Sequence, residues 1–355
     1  MKITELKRLQ NFWYPVALKT DQTPKLVKLF GQHYVLWRST TGLVLNQPYC
    51  PHRGARLDHA KEQDGSLVCP YHGWQFGEDG NCKFIPQIEA GLPIPPKAYL
   101  ATYPVVERYG VVWTCIGTPE TTGPPPWHEA DELGWRVQVD FFELWGASGF
   151  RIIDNNLDQS HPAFIHQNTF GDPTRPWVPR YSVELTSNGF ITRIPQYVGG
   201  VGPQMGIDDE TLAFDRFQEA ELLGPLHTRI RLTYNGAAPD YAFYGSVTPV
   251  DDNQSMYLRC SALAGDEATQ PYDLFHAFSR RVVDEDREIL EVTNPDFPIS
   301  ATEEVHLRCD RNTVEYRRFL KKLANNEELT TVPSQPNIDH HPDPVSSYSD
   351  IVTTR

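Results

Sequence analysis

The chain has 355 residues, 39% of them hydrophobic and 22% charged, and a formal net charge of -14. Its size fits two domains with a core each, and its acidity argues against a nucleic-acid partner, which lysine and arginine would have to neutralise. No stretch approaches the roughly 18 apolar residues of a membrane span, and Met1 to Leu9 lacks the apolar run of a secretory signal, so a cytoplasmic protein with no membrane partner is expected.

From Asn11 the chain alternates short β-rich runs with turn residues: FWYPVAL, KLVKLF, HYVLWRS, LVLNQPYC, SLVCPYHGWQF and VVERYGVVWTCIG, with Asp-Gly turns in QDGS and EDGN. Residues 11–118 read as a small all-β domain. Residues 119–134 carry the run PPPWHEADELG and read as a linker. Residues 135–324 read as a second domain with antiparallel strands in WRVQVDFFELW, YSVELTSNGFITRIPQYV, HTRIRLTYN and AFYGSVTPVDDNQSMYLRCSAL. Helices are expected around 151–167, from Asp273 to Val292 and from Thr313 to Leu323. Residues 325–355 are polar and read as a mobile tail. The class is therefore α+β.

Six cysteines in a chain this long are too sparse for a disulfide framework, which leaves metal binding or burial. Cys50 with His52, and Cys69 with His72, form C-x-H and C-x-x-H pairs sixteen residues apart. Four such ligands suit zinc or a 2Fe-2S cluster with one iron on cysteines and the other on histidines. Zinc fingers place a Cys pair before a His pair. Here each loop supplies one of each, so each can serve both irons, which favours the cluster. Gly54 and Gly73 are expected to let backbone N–H groups approach the sulfurs. His59 reads as an ordinary loop histidine, and Cys82 and Cys115 as buried residues of strands.

In RIIDNNLDQSHPAFIHQNTFGD, Asn155, Asp158 and His161 stand at i, i+3 steps, one face of a helix, and a kink at Pro162 would swing His166 back toward the same point. Two histidines and one carboxylate make the site of oxygen-activating ferrous iron. The carboxylate is sought in LFHAFSRRVVDEDREILE. There the apolar face runs through Phe275, Phe278, Val282, Ile289 and Leu290; Asp286 falls on that face and Asp284 on the solvated one.

CPHRG with CPYHGW resembles the Rieske motif, and N-x-x-D-x-x-H-x4-H followed by EDREILE resembles the catalytic domain of Rieske non-heme iron oxygenase α-subunits. The arrangement is similar to the stand-alone monooxygenases: vanillate, dicamba and caffeine demethylases and the saxitoxin-pathway hydroxylases. The resemblance implies a Rieske domain followed by a helix-grip, START-like catalytic domain. It makes Cys50, His52, Cys69 and His72 the ligands of a Rieske 2Fe-2S cluster and His161, His166 and Asp286 those of Fe(II). It makes Asp158 a bridging carboxylate between the two centres and Asn155 a residue of the iron pocket, where neighbouring Asn156 competes for the role. It also implies dioxygen as co-substrate, a small organic substrate that is hydroxylated or demethylated, and a homotrimer. No Gly-rich dinucleotide fingerprint occurs, so NAD(P)H acts only through a separate reductase or ferredoxin, for which Arg53, Arg56 and Lys61 offer a basic patch. A Rieske electron carrier with a non-catalytic binding domain, a zinc-stabilised β protein and a ring-hydroxylating dioxygenase stand as alternatives. The acidic total charge is compatible with a cationic or guanidinium-bearing substrate, which the sequence does not identify.

Overall fold

β-Branched and aromatic runs broken by Gly, Asp and Pro give the N-terminal part eleven short strands: β1 (Tyr14–Leu18), β2 (Lys25–Leu29), β3 (Gln32–Arg38), β4 (Leu43–Asn46), β5 (Lys61–Gln63), β6 (Ser66–Val68), β7 (Gln75–Phe76), β8 (Cys82–Phe84), β9 (Thr102–Tyr103), β10 (Val105–Arg108) and β11 (Val111–Thr114). The computed structural model describes residues 1–89, 91–198, 214–234, 239–268 and 270–329. These strands form three antiparallel sheets in the orders β1-β11-β10, β2-β3-β4-β9 and β5-β6-β7-β8. The turn between β5 and β6 uses Asp64 and Gly65 at φ 51° and 72°, the left-handed pair that a two-residue hairpin favours. Cys82 lies in β8 as expected, while buried Cys115 falls one residue beyond β11.

Among the described residues, the C-terminal part forms one antiparallel sheet of seven strands: β12 (Trp135–Trp145), β13 (Val183–Thr186), β14 (Gly189–Val198), β15 (Phe214–Gly224), β16 (His227–Thr233), β17 (Tyr241–Pro249) and β18 (Ser255–Ala264). Their order is β12-β18-β17-β16-β15-β14-β13, a meander whose first strand closes beside its last. The α-helices among the described residues are α1 (His128–Asp131), α2 (Gly149–Leu157), α3 (Pro162–Ile165), α4 (Tyr272–Leu290) and α5 (Arg311–Ala324). Phe150, Ile152 and Ile153 of α2 pack with Val283 and Leu290 of α4, Tyr316 and Leu320 of α5, and Leu222, Val247 and Tyr257 of the sheet. Burying each large side chain contributes about 1.5–3 kcal/mol. The same cluster includes Tyr14 and Leu29 of the N-terminal part. Backbone bonds from Phe30 N–H to the Pro249 carbonyl (2.7 Å) and from Gly31 N–H to the Val250 carbonyl (2.8 Å) join the two parts further.

Three expectations need correction. Strand β15 was not foreseen, and it lies inside the large sheet. The proline-rich, acidic stretch read as a linker does pack in part: Trp127 and Glu129 are buried, and α1 forms there. Trp127 stacks between Tyr109 (4.1 Å) and Tyr244 (4.9 Å), while the Glu129 carboxylate accepts from Arg229 Nε (3.1 Å) and from the Tyr244 hydroxyl. On α4, Ile289 is exposed, and Val283 is buried in the apolar cluster. The expectation for residues 330–355 lies outside the described residues.

Burial alone would push the Glu129 carboxyl up, but Arg229 and Tyr244 pull it below its ordinary 4.5. A depressed carboxyl stabilises the fold fully above its unfolded-state value, and that contribution is lost as the pH falls through the folded-state value. Glu129→Ala should therefore cost about 3 kcal/mol in urea unfolding at pH 7, Arg229 keeping Glu219 as a partner. The loss relative to wild type should shrink as the pH falls below about 4.

Candidate functional site

The first constellation sits on two loops, one between β4 and β5 and the other between β6 and β7. Cys50 and Cys69 are buried in the apolar cluster of the small sheets with Trp37, Leu67 and Phe76. The Cys50 and Cys69 thiols lie within hydrogen-bond reach of each other, and burial pushes the Cys50 thiol up to about 11. The His52 and His72 rings stand 4.5 Å apart, and His52 stacks flat on Trp74 at 4.6 Å. His52 Nδ1 is buried without a hydrogen-bond partner, a donor set waiting for a ligand. Each loop brings one Cys and one His to the same place, the arrangement that suits a binuclear cluster with one iron on the cysteines and the other on the histidines.

The glycines act through the turns they form and not through their own N–H groups. Gly54 and Gly73 have φ 69° and 74°, as tight turns require, but their N–H groups donate to the Cys50 and Cys69 carbonyls at 2.9 and 3.0 Å. The backbone N–H groups that reach the Cys50 sulfur belong to His52 and Arg53. His59 is 70% exposed, consistent with an ordinary loop residue. Of the expected basic patch, Arg53 and Lys61 are exposed, while Arg56 is clamped by Asp58 (Nε to Oδ1 3.0 Å).

The second constellation departs from the single-face helix. Helix α2 ends at Leu157, and Asp158 is extended (φ -71°, ψ 139°), so Asn155, Asp158 and His161 do not lie along one helix. His161 itself is helical (φ -62°, ψ -32°) despite preceding Pro162, which opens α3. The Asp158 carboxylate makes the turn by accepting from the N–H groups of Ser160 (3.0 Å) and His161 (2.9 Å). The reversal after α3, where the Gly171 N–H donates to the His166 carbonyl at 2.7 Å, leaves the His166 and His161 ring centroids 5.2 Å apart.

Both imidazoles present Nε2 to one carboxylate oxygen: His161 Nε2 is 3.5 Å and His166 Nε2 3.4 Å from Asp286 Oδ1. Those distances are too long for good hydrogen bonds, and neither Nε2 makes one to a described residue; they suit atoms sharing a metal at about 2.1 Å. The opposite ring nitrogens are held, His161 Nδ1 by Asp158 (3.2 Å) and His166 Nδ1 by Glu285 (2.9 Å). Asn155 Nδ2 donates to Asp286 Oδ1 (3.0 Å), whereas Asn156 turns to Thr228 (3.1 Å) and Tyr257 (3.2 Å). Asp284 pairs with Arg280 on the outer face, its Oδ1 2.9 Å from Nε. Burial opposes the charged form of His161, but Asp158 and Asp286 outweigh it and raise its pKa; at His166 burial wins and lowers it.

Glu285 escaped the sequence reading. It neighbours Asp286 in the same acidic run, and only packing of α4 against the loop after α3 shows that it meets His166 and the Thr169 hydroxyl (2.8 Å). A cavity of about 80 Å³ opens on the triad, its other walls including Phe170, Ile230, Leu232, Phe243 and Arg216. No described helix is long and apolar enough to cross a membrane.

Residues 12–104 match the Rieske [2Fe-2S] domain family, and residues 145–326 match the family described as the vanillate O-demethylase oxygenase C-terminal domain. The methylxanthine N1-demethylase NdmA of Pseudomonas putida is 26% identical over 330 residues, 90% of each chain. The solved structure of NdmA with caffeine superposes with a TM-score of 0.79 at 24% identity, covering 91% of this chain and 93% of that one. Dicamba monooxygenase bound to dicamba gives 0.72 at 18% identity over 92% and 99%. At these identities the structural likeness establishes the fold.

Proposed function

The chain belongs to the Rieske non-heme iron oxygenases, with a vanillate O-demethylase-type oxygenase domain, and from that membership we propose how its residues divide the work. Such an enzyme spends dioxygen and electrons from a reductase or ferredoxin on a small organic substrate. Cys50, Cys69, His52 and His72 hold the cluster; His161, His166 and Asp286 hold ferrous iron. When bound, the cluster supplies single electrons and the iron supplies open positions for dioxygen.

The remaining residues serve those seven. Asp158 and Glu285 each hold the Nδ1 of a histidine, which turns both Nε2 atoms toward Asp286 and fixes the rings. Asn155 steadies the carboxylate that completes the set. Phe170, Phe243, Ile230 and Leu232 keep the cavity dry around the reacting carbon. The observation that carries this reading is the convergence of two Nε2 atoms and one carboxylate oxygen on a single point at the cavity wall. A Rieske electron carrier with a mere binding domain has no use for that arrangement.

No hydrogen bond, ion pair or ring contact joins the cluster loops to the triad within one chain, among the described residues. This favours a head-to-tail homotrimer in which Asp158 links His161 of its own chain to His72 of a neighbouring copy. Arg53 and Lys61 suit the docking of an acidic electron carrier. The N-terminal cluster unit takes residues 11–118 and the catalytic unit residues 135–324, the protein acting in the cytoplasm.

The reaction is tested by dioxygen uptake with a surrogate reductase over N-methyl and O-methyl compounds, with formaldehyde assayed in parallel. Substrate-dependent uptake with stoichiometric formaldehyde is expected. Cis-diol formation from aromatic rings would instead assign a ring-hydroxylating dioxygenase.

A further inference from the structure

Arginine cannot shed its charge to escape burial, so a buried guanidinium is expected to sit on a carboxylate. Four arginines are buried among the described residues: Arg216, Arg229, Arg259 and Arg317. Arg229 meets Glu219 at 2.7 Å, Arg317 meets Asp154 at 3.1 Å, and Arg259 stands 4.0 Å from Asp140. Arg216 has no carboxylate partner among the described residues. Its Nε donates to Gln196 Oε1 (3.0 Å) and its Nη1 to the hydroxyls of Tyr234 (3.4 Å) and Tyr241 (3.5 Å), contacts that satisfy two nitrogens and neutralise nothing. Nη2 makes no hydrogen bond to a described residue. The side chain is 6% exposed and forms a wall shared by the triad cavity and the adjoining one of about 530 Å³.

The placement relative to the triad is defined by stacking. Arg216 Cζ lies 5.0 Å over the Phe170 ring, and that ring stacks on His166 at 4.9 Å, so the guanidinium stands two layers from a proposed iron ligand. Of the nearby amides, Gln196 and Gln218 each commit one N–H to Gln159 Oε1, both at 3.1 Å. The Tyr241 hydroxyl, an acceptor for Arg216 and Tyr234, keeps its own proton to donate. A charged donor, a hydroxyl donor and apolar walls are what an organic anion with a small apolar body requires.

We propose that Arg216 anchors the carboxylate of an anionic substrate, whose apolar body extends past Phe170 toward the triad. The proposal rests on the oxygenase reading of the triad and adds the substrate's charge, opposite to what the acidic net charge of the chain is compatible with. Arg216 is a binding residue here, and specificity follows from its burial: a neutral or cationic analogue leaves the guanidinium desolvated and unpaired.

The test uses calorimetric binding to the metal-loaded protein, with methoxy-substituted benzoates and phenylacetates, their primary amides and the matching benzylamines. In the wild type at least one acid should bind about tenfold or more tighter than its amide, and the amines more weakly still. Arg216→Gln should weaken the acid at least about tenfold and its amide less than threefold. Arg216→Lys should give a smaller loss that is again selective for the acid, which keeps the test open if Arg216→Gln misfolds. Amides or amines binding as tightly as the acids, no acid binding at all, or unchanged acid affinity in folded Arg216→Gln would overturn the proposal. Acids that bind through Arg216 without driving dioxygen uptake would contradict the oxygenase reading instead.

Discussion

Asp286→Ala removes the mononuclear iron and lowers turnover by at least about a hundredfold, while the visible spectrum of the Rieske cluster stays unchanged. The carboxylate is the one group that both imidazoles face, at 3.4 and 3.5 Å, and no other described carboxylate completes a three-ligand group with them. Glu285 does not substitute, because it is engaged with His166 Nδ1 and Thr169. The cluster survives because its four ligands come from loops of the N-terminal sheets, built by other segments. Asp284→Ala, two residues away, leaves iron content and turnover near wild type, since that side chain is half exposed and, among the described residues, pairs with Arg280 on its own helix. Iron analysis with parallel optical spectra measures both; the reverse pattern would assign the wrong face of α4 to the metal.

Cys69→Ser and His161→Ala are each inactive alone and regain part of the activity when co-assembled. The first lacks a cluster ligand and the second an iron ligand. In mixed trimers some interfaces bring an intact cluster loop against an intact triad, which a head-to-tail ring allows and a self-contained chain does not. Asp158→Ala behaves otherwise: it keeps both metals and slows turnover by at least about tenfold, because it removes the group that holds His161 Nδ1 and is proposed to reach the neighbour's His72. Substrate-dependent dioxygen uptake by verified mixed trimers is the measurement. No recovery there would contradict transfer between copies.

The grouping of the proposed ligands was legible where the pattern is local. The C-x-H and C-x-x-H pairs keep each Cys within three residues of its His, and the apolar period through Phe275, Phe278 and Leu290 puts Asp286 on the packed side of α4, although Ile289 does not share that face. What failed was tertiary. Asp158 breaks the helix by capping the following turn, a competition between side chain and backbone that i, i+3 spacing does not reveal. Strand β15 was missed because its inward positions begin with Arg216 and Gln218, both buried, while Asp215 and Phe217 face outward. That inverts the pattern by which a strand is recognised, and it does so at the wall of the substrate cavity, where local rules are expected to yield to function. Glu129 was read as linker acidity for a related reason: nothing near it in the chain announces that Arg229, a hundred residues later, will bury it.

One chain is proposed to hold two different iron centres, which metal and acid-labile sulfide analysis of anaerobically purified protein counts separately. About three irons and two sulfides per chain are expected, the sum of one 2Fe-2S cluster and one mononuclear site. Stoichiometric zinc without labile sulfide would contradict it.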